Sequence, residues 1–210
     1  MGRFVVLEGI DGAGTTTHVA RLAERLREAR VTVRATREPS DGPVGMLVRQ
    51  VLTGRIVMPG GRAPGWATMG LLFAADRLDH VESEIEPFMS ENGVVLSDRY
   101  DASSLAYQSV SSGADAKEAV EWIRSLNRYV RRPDLTIVLD VTPETAAERR
   151  MRRGEAAQLY EQNEVQRALA VFYRDLAEHM PSDRVVVIDA SGTVDEVHER
   201  IWTAYFSAFA

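Results

Sequence analysis

The chain of 210 residues has no cysteine, and it has one lysine, Lys117, among its 25 basic residues. The first absence excludes disulfides, thiolate metal sites and cysteine nucleophiles. The second leaves nearly all cationic chemistry to arginine. Long apolar runs are also missing; none approaches the ~20 residues needed to cross a bilayer. No basic n-region and apolar h-region precede the first strand-like segment, so no secretory signal is visible and a cytoplasmic location is expected. Positive charge is not in excess. The net charge of −6 argues against a general nucleic-acid or membrane-surface binder. Repeats, low-complexity runs and linkers are absent too, and residues 1–210 read as one domain.

What is present is alternation. Apolar, β-branched runs predict strands at Arg3–Leu7, Thr32–Ala35, Val94–Leu96, Leu135–Leu139 and Arg184–Ile188. Helical periodicity fills the intervals at 15–29, 43–53, 66–88, 101–111, 115–130, 143–152, 157–179 and 193–208. The glycine- and proline-rich stretch Gly54–Gly65 reads as an exposed loop. Five short strands of buried type, alternating with helices, predict an α/β fold with a five-stranded parallel sheet flanked by helices on both faces. Ligands bind such sheets beyond the carboxyl ends of the strands, so polar residues just after strands are the candidates for function.

The strongest candidate follows the first strand. Phe4-Val5-Val6-Leu7-Glu8 runs into Gly9-Ile10-Asp11-Gly12-Ala13-Gly14, and Thr15-Thr16-Thr17 opens a helix. Such a turn collects backbone N–H groups from Gly9 through Gly12, Ala13, Gly14 and Thr15 to Thr17 around an anion, aided by the helix N-terminus. The pattern G-x-x-x-x-G-K-[ST] is met at Gly9, Gly14 and Thr16, whose hydroxyl is expected on Mg²⁺. The lysine position holds Thr15. On the motif alone, a glycine turn without a ligand remains an alternative.

Other candidates follow in order. In Thr36-Arg37-Glu38-Pro39, Arg37 is placed either to grip a phosphate or to form a surface ion pair. Phe73 and Arg77, four apart on a helix, form either a base platform with a forked donor or part of the core. In Ser97-Asp98-Arg99-Tyr100-Asp101, Asp98 is in position for a loop-bound Mg²⁺ and Arg99 for phosphate charge, while Asp101 reads as an N-cap. Ser104, Tyr107 and Gln108 lie about one helical turn apart, a short polar wall for a base and sugar. Arg149, Arg150, Arg152 and Arg153 precede Gly154; such a run is either a solvated face or a phosphate grip. The four histidines form no ligand pattern, and His18 reads as a helix-face residue.

Taken together, GIDGAG-TT, TREP, FAADR, SDRY-x-x-SS-x-AYQ, RRPDLTIVLDV and RxxxRG resemble the bacterial thymidylate kinases in order and approximate distance, from about Phe4 to past Asp189. The resemblance implies the P-loop nucleoside-monophosphate kinase fold with a helical lid at about 145–165. The implied reaction is ATP + dTMP giving ADP + dTDP with Mg²⁺. It puts Arg37 and Arg99 on the acceptor phosphate, Phe73 and Arg77 on thymine, Ser104 and Gln108 near the base, and Tyr107 against the sugar 2′ position. Asp11 takes the 3′-hydroxyl and lies near the phosphates, and Thr16 and Asp98 serve Mg²⁺. Arg149 is implied to stack on adenine. Arg153 is implied to face the phosphates, as in the family branch that supplies this arginine from the lid. A homodimer is also implied. Two departures stand out: Thr15 replaces lysine, and Ala156-Ala157-Gln158-Leu159-Tyr160-Glu161 replaces the Asp-Arg pair common in the lid. They leave open a kinase weakened by Thr15, a nucleotide-binding regulator without efficient turnover, or a kinase of another deoxynucleoside monophosphate.

Overall fold

A computed structural model describes residues 2–113, 116–153 and 163–210, with the side chains of residues 116, 153 and 163 excepted. Five strands form one sheet: β1 (Arg3–Glu8), β2 (Val33–Arg37), β3 (Val94–Asp98), β4 (Leu135–Asp140) and β5 (Val185–Asp189). Their order is β2-β3-β1-β4-β5, and every pairing is parallel. Four of the strands end on an acidic residue, one or two positions beyond the expected apolar run. The backbone ladder continues there although the side chain is no longer apolar.

The helices are α1 (Thr15–Glu28), α2 (Pro43–Leu52), α3 (Trp66–His80), α4 (Glu86–Ser90), α5 (Asp101–Ser111), α6 (Ala116–Leu126), α7 (Pro143–Arg153), α8 (Asn163–Arg174), α9 (Leu176–His179) and α10 (Val194–Phe209). The period-2 pattern of β1 explains how they cover the sheet. Val5 and Leu7 join a large cluster with Val19, Leu22 and Leu26 of α1 and with Val197 and Ile201 of α10. Phe4 and Val6 pack the other way, against Val81, Ile85 and Met89.

Two expected helices are interrupted. The helix expected over 66–88 contains a π-helical turn, Val81–Ile85, before α4. Pro87 lies in the first turn of α4 and lacks an N–H, so the wider turn upstream relieves the clash of its ring with the preceding carbonyls. The helix expected over 157–179 appears as α8 and α9, broken at Asp175. The middle of the expected lid, 154–162, including Glu161, lies outside the described residues. Among the described residues, no helix is long and apolar enough to cross a membrane.

Candidate active site

The loop after β1 is built as its glycines require. Gly12 has φ 96°, and a Cβ there would collide with the carbonyl of Ala146, so α7 rests directly on the loop. Gly14, also left-handed with φ 103°, is the N-cap of α1. Thr15 is the buried first residue of that helix. The Thr16 hydroxyl donates to Asp98 Oδ2 across β1 and β3, while Asp98 Oδ1 is buried without a partner. An unsatisfied carboxylate oxygen beside a hydroxyl suits a hard cation. Among the described residues no group of three histidine, aspartate or glutamate side chains is arranged to hold a metal ion by itself, so a metal here would complete its shell with phosphate and water oxygens.

Next to the loop lies a cavity of about 130 Å³ lined by Asp11, Glu38, Pro39, Leu52, Phe73, Arg77, Arg99, Tyr100, Ser103, Ser104, Tyr107 and Gln108. Elements far apart in sequence supply it: the loop, the turn after β2, α3, and the β3–α5 junction. Phe73, Arg77, Arg99, Ser104, Tyr107 and Gln108 thus meet Asp11 in one space.

Arg99 has φ 73°, a conformation that costs a non-glycine residue roughly 1–2 kcal/mol. Its N–H donates to Leu7 O at 2.9 Å. Its guanidinium donates to Gly9 O at 2.9 Å, Ser103 Oγ at 3.2 Å and Asp11 Oδ1 at 2.6 Å. Beneath it sits Glu8, fully buried, whose carboxylate accepts from Tyr100 N at 2.8 Å, Ser103 N at 3.1 Å, Ser103 Oγ at 2.7 Å and the Tyr173 hydroxyl at 3.0 Å. Burial outweighs the Arg99 charge and these donors, pushing the Glu8 pKa up to about 7. Gln166 Nε2 reaches the other oxygen of Asp11 at 3.3 Å, and burial holds the Tyr107 phenol well above its usual pKa.

Arg77 is fully buried. It donates to Glu38 at 2.9 Å, Asn127 Oδ1 at 2.5 Å, Tyr100 O at 3.1 Å and Ser104 Oγ at 3.1 Å. Glu38 is shared with His80, whose Nδ1 lies 3.4 Å away, and His80 Nε2 is 2.8 Å from Thr36 Oγ1 and 3.5 Å from Glu84. Burial alone would lower the His80 pKa, but Glu38 and Glu84 outweigh it and raise it to about 9. Gln108 differs: it is fully buried, and neither Nε2 nor Oε1 has a partner.

Several side chains sit elsewhere than expected. Arg37 ends β2 but is 57% exposed and pairs with Asp41 at 2.9 Å, outside the cavity lining. A carboxylate four residues away competes for it locally. Asp101 does not cap α5; the N-cap is Tyr100, and the Asp101 carboxylate bonds Arg132. His18 does lie on a face of α1, the buried one, and its ring stacks with that of His198 at 6.4 Å. Arg149 donates to Ala13 O at 3.2 Å and Ala190 O at 2.9 Å, and Arg150 donates to Asp11 O. Arg153 closes α7, and its side chain lies outside the described residues. Sequence reasoning missed the supports of the cavity: Glu8, Glu38, His80, Asn127, Gln166 and Tyr173. Only Glu38 carried a signal, its place inside the TREP motif.

With this geometry in view, the relatives are informative. The thymidylate kinase family model matches residues 7–201. A probable thymidylate kinase from Pyrococcus abyssi is 39% identical over 200 residues, covering 95% of this chain and 94% of the relative. One from Pyrobaculum aerophilum is 42% identical over 197 residues, covering 92% and 91%. A thymidylate kinase from Rhodopseudomonas palustris is 38% identical over 207 residues, covering 97% and 88%. A family model spanning nearly the whole chain, and relatives aligned along almost their full length, agree with the parallel sheet and the glycine loop: the chain belongs to the thymidylate kinase family.

Proposed function

We propose that this protein transfers the γ-phosphoryl group of ATP to the phosphate of dTMP, giving ADP and dTDP, with Mg²⁺ as the accompanying ion. The observation that carries this reading is the cavity beside the glycine loop, joined to it by the 2.6 Å contact of Arg99 with Asp11. An acceptor phosphate oxygen attacks the γ-phosphorus, the bond to the β,γ-bridging oxygen breaks, and ADP leaves with the electron pair. Such a step asks for alignment and charge neutralisation rather than a protein nucleophile.

Each wall has its task. Arg99 faces the acceptor phosphate, and Asp11 holds the sugar 3′-hydroxyl. Phe73 lies against the base, and Tyr107 crowds the sugar 2′ position. Arg77, with Ser104 among its acceptors, forms a fixed cationic floor beneath the base. The unpaired amide of Gln108 offers one donor and one acceptor, which match the N3–H and O4 of thymine. On the donor side the loop amides take the phosphates and Arg149 is placed for adenine. Thr16 and Asp98 would hold Mg²⁺, which supplies charge neutralisation at the phosphates. Exposed Met46 and Leu47 on α2 and Leu71 on α3 support self-association of two chains through these helices.

A coupled assay with ATP and dTMP tests the activity, and competition by dUMP and dCMP tests the acceptor. Folded protein that turns over no dTMP, both with Thr15 and after Thr15→Lys, would refute the reading.

A further inference from the structure

Where a lysine follows the last glycine of such a loop, its ammonium reaches the β- and γ-phosphates. Here Thr15 is short, neutral and buried. Lys117 sits on α6 beside Ser109, Val120, Phe172 and His179, at a separate cavity behind α5. We propose that Arg150 supplies the missing cation, its guanidinium contacting the β- and γ-phosphates of the donor; this rests on the kinase reading above.

Three arginines reach backbone carbonyls of the loop: Arg99 at Gly9, Arg149 at Ala13 and Arg150 at Asp11. They are not equally available. Arg99 is engaged by the Asp11 carboxylate, Ser103 and the Tyr173 hydroxyl on the acceptor side. Arg149 is divided among the carbonyls of Ala13, Ala190 and Gly192. Arg150 has the Asp11 carbonyl as its one partner among the described residues, leaving most of its five N–H donors unspent.

Its position follows from the packing of α7. Ala146, whose carbonyl a side chain at Gly12 would strike, lies four residues before Arg150. Residues four apart share a helix face, so Arg150 projects from the face that rests on the loop. A planar guanidinium offers paired N–H groups to two phosphate oxygens, a geometry an ammonium lacks. A side chain from α7 therefore takes over a role that the loop's own residue 15 cannot fill.

The test is a double-mutant cycle between positions 15 and 150, read in kcat and in binding of a non-hydrolysable ATP analogue. Arg150→Ala in the natural Thr15 background is expected to lower kcat by about 10²–10³. Weaker binding of the ATP analogue, with AMP binding and the KM for dTMP within about twofold, should accompany it. In the Thr15→Lys background the same change should cost under about tenfold, because the lysine then carries the charge. Arg150→Lys should recover part of the activity. Equal losses in both backgrounds would assign Arg150 a structural role and overturn the proposal, as would full kcat or unchanged analogue binding in Arg150→Ala. If all four folded proteins bind the analogue but none phosphorylates dTMP, the kinase reading itself fails, and the proposal with it.

Discussion

The two sides of the crevice are built differently. The acceptor wall is buried and interlocked: Arg77 and Glu38 are buried together at 2.7 Å, His80 extends the chain of charges, and Glu8 ties the Asp98–Ser103 turn to Tyr173. The donor side is a glycine loop overlaid by the half-exposed Arg149 and Arg150, which among the described residues bond only to backbone carbonyls. The lesson is one of preorganisation. On the proposed function, the wall that would read a base is held by buried partners of its own, whereas the side that would meet a triphosphate keeps unspent donors for it.

The contrast can be broken most severely at Arg77. Arg77→Met leaves the buried Glu38 carboxylate with His80 as its remaining charged partner, and removing one partner of a buried pair costs up to about 3–5 kcal/mol. Urea unfolding should register a loss of that size; a change below about 1 kcal/mol would mean that the acceptor wall is not interlocked. Arg99→Ala should leave folding closer to wild type and lower kcat by about 10²–10³. Arg99→Lys should restore little, because one ammonium cannot serve Gly9, Ser103, Asp11 and a phosphate at once.

Smaller effects sharpen the picture. Gln108→Leu removes two unpaired amide atoms from the cavity, so it should not destabilise the free protein, yet it should raise the KM for dTMP up to about tenfold. Equal KM values in the two proteins would remove Gln108 from base recognition. The smallest effect is on pH. The His80 pKa is raised from 6.5 to about 9, so the folded state holds this proton more tightly than the unfolded chain. Its stabilisation is complete below about 6.5 and lost as pH rises through about 9. The melting temperature of the wild type should therefore fall between pH 7 and 10 by more than that of His80→Asn; parallel curves would show that His80 is not charged.

Much of this was legible along the chain. The alternation of apolar runs and helical periods gave the parallel sheet, because burial on both faces leaves a strand no polar alternation. The glycine turn, the Asp98-Arg99 pair and the wall Ser104, Tyr107, Gln108 were visible because each is local. Their supports were not. Glu8 meets Ser103 and Tyr173 only after the chain has crossed the sheet, and nothing adjacent to residue 173 marks its phenol as a partner. Local chemistry also misled: Asp101 had the composition of an N-cap, but it is the first residue inside α5, behind Tyr100 at the cap position, and its carboxylate bonds Arg132.

By itself the sequence determined that a strand, a glycine turn and a helix would make an anion cradle, and that no lysine would stand in it. These are properties of neighbouring residues, whose dihedrals and backbone donors are set within a few bonds. Which arginines attend that cradle was decided by tertiary structure alone. Arg149 and Arg150 are adjacent in sequence, but the packing of α7 on Gly12 sends one to the Ala13 and Ala190 carbonyls and the other to Asp11. A charge has no address until the fold brings a partner within hydrogen-bonding distance.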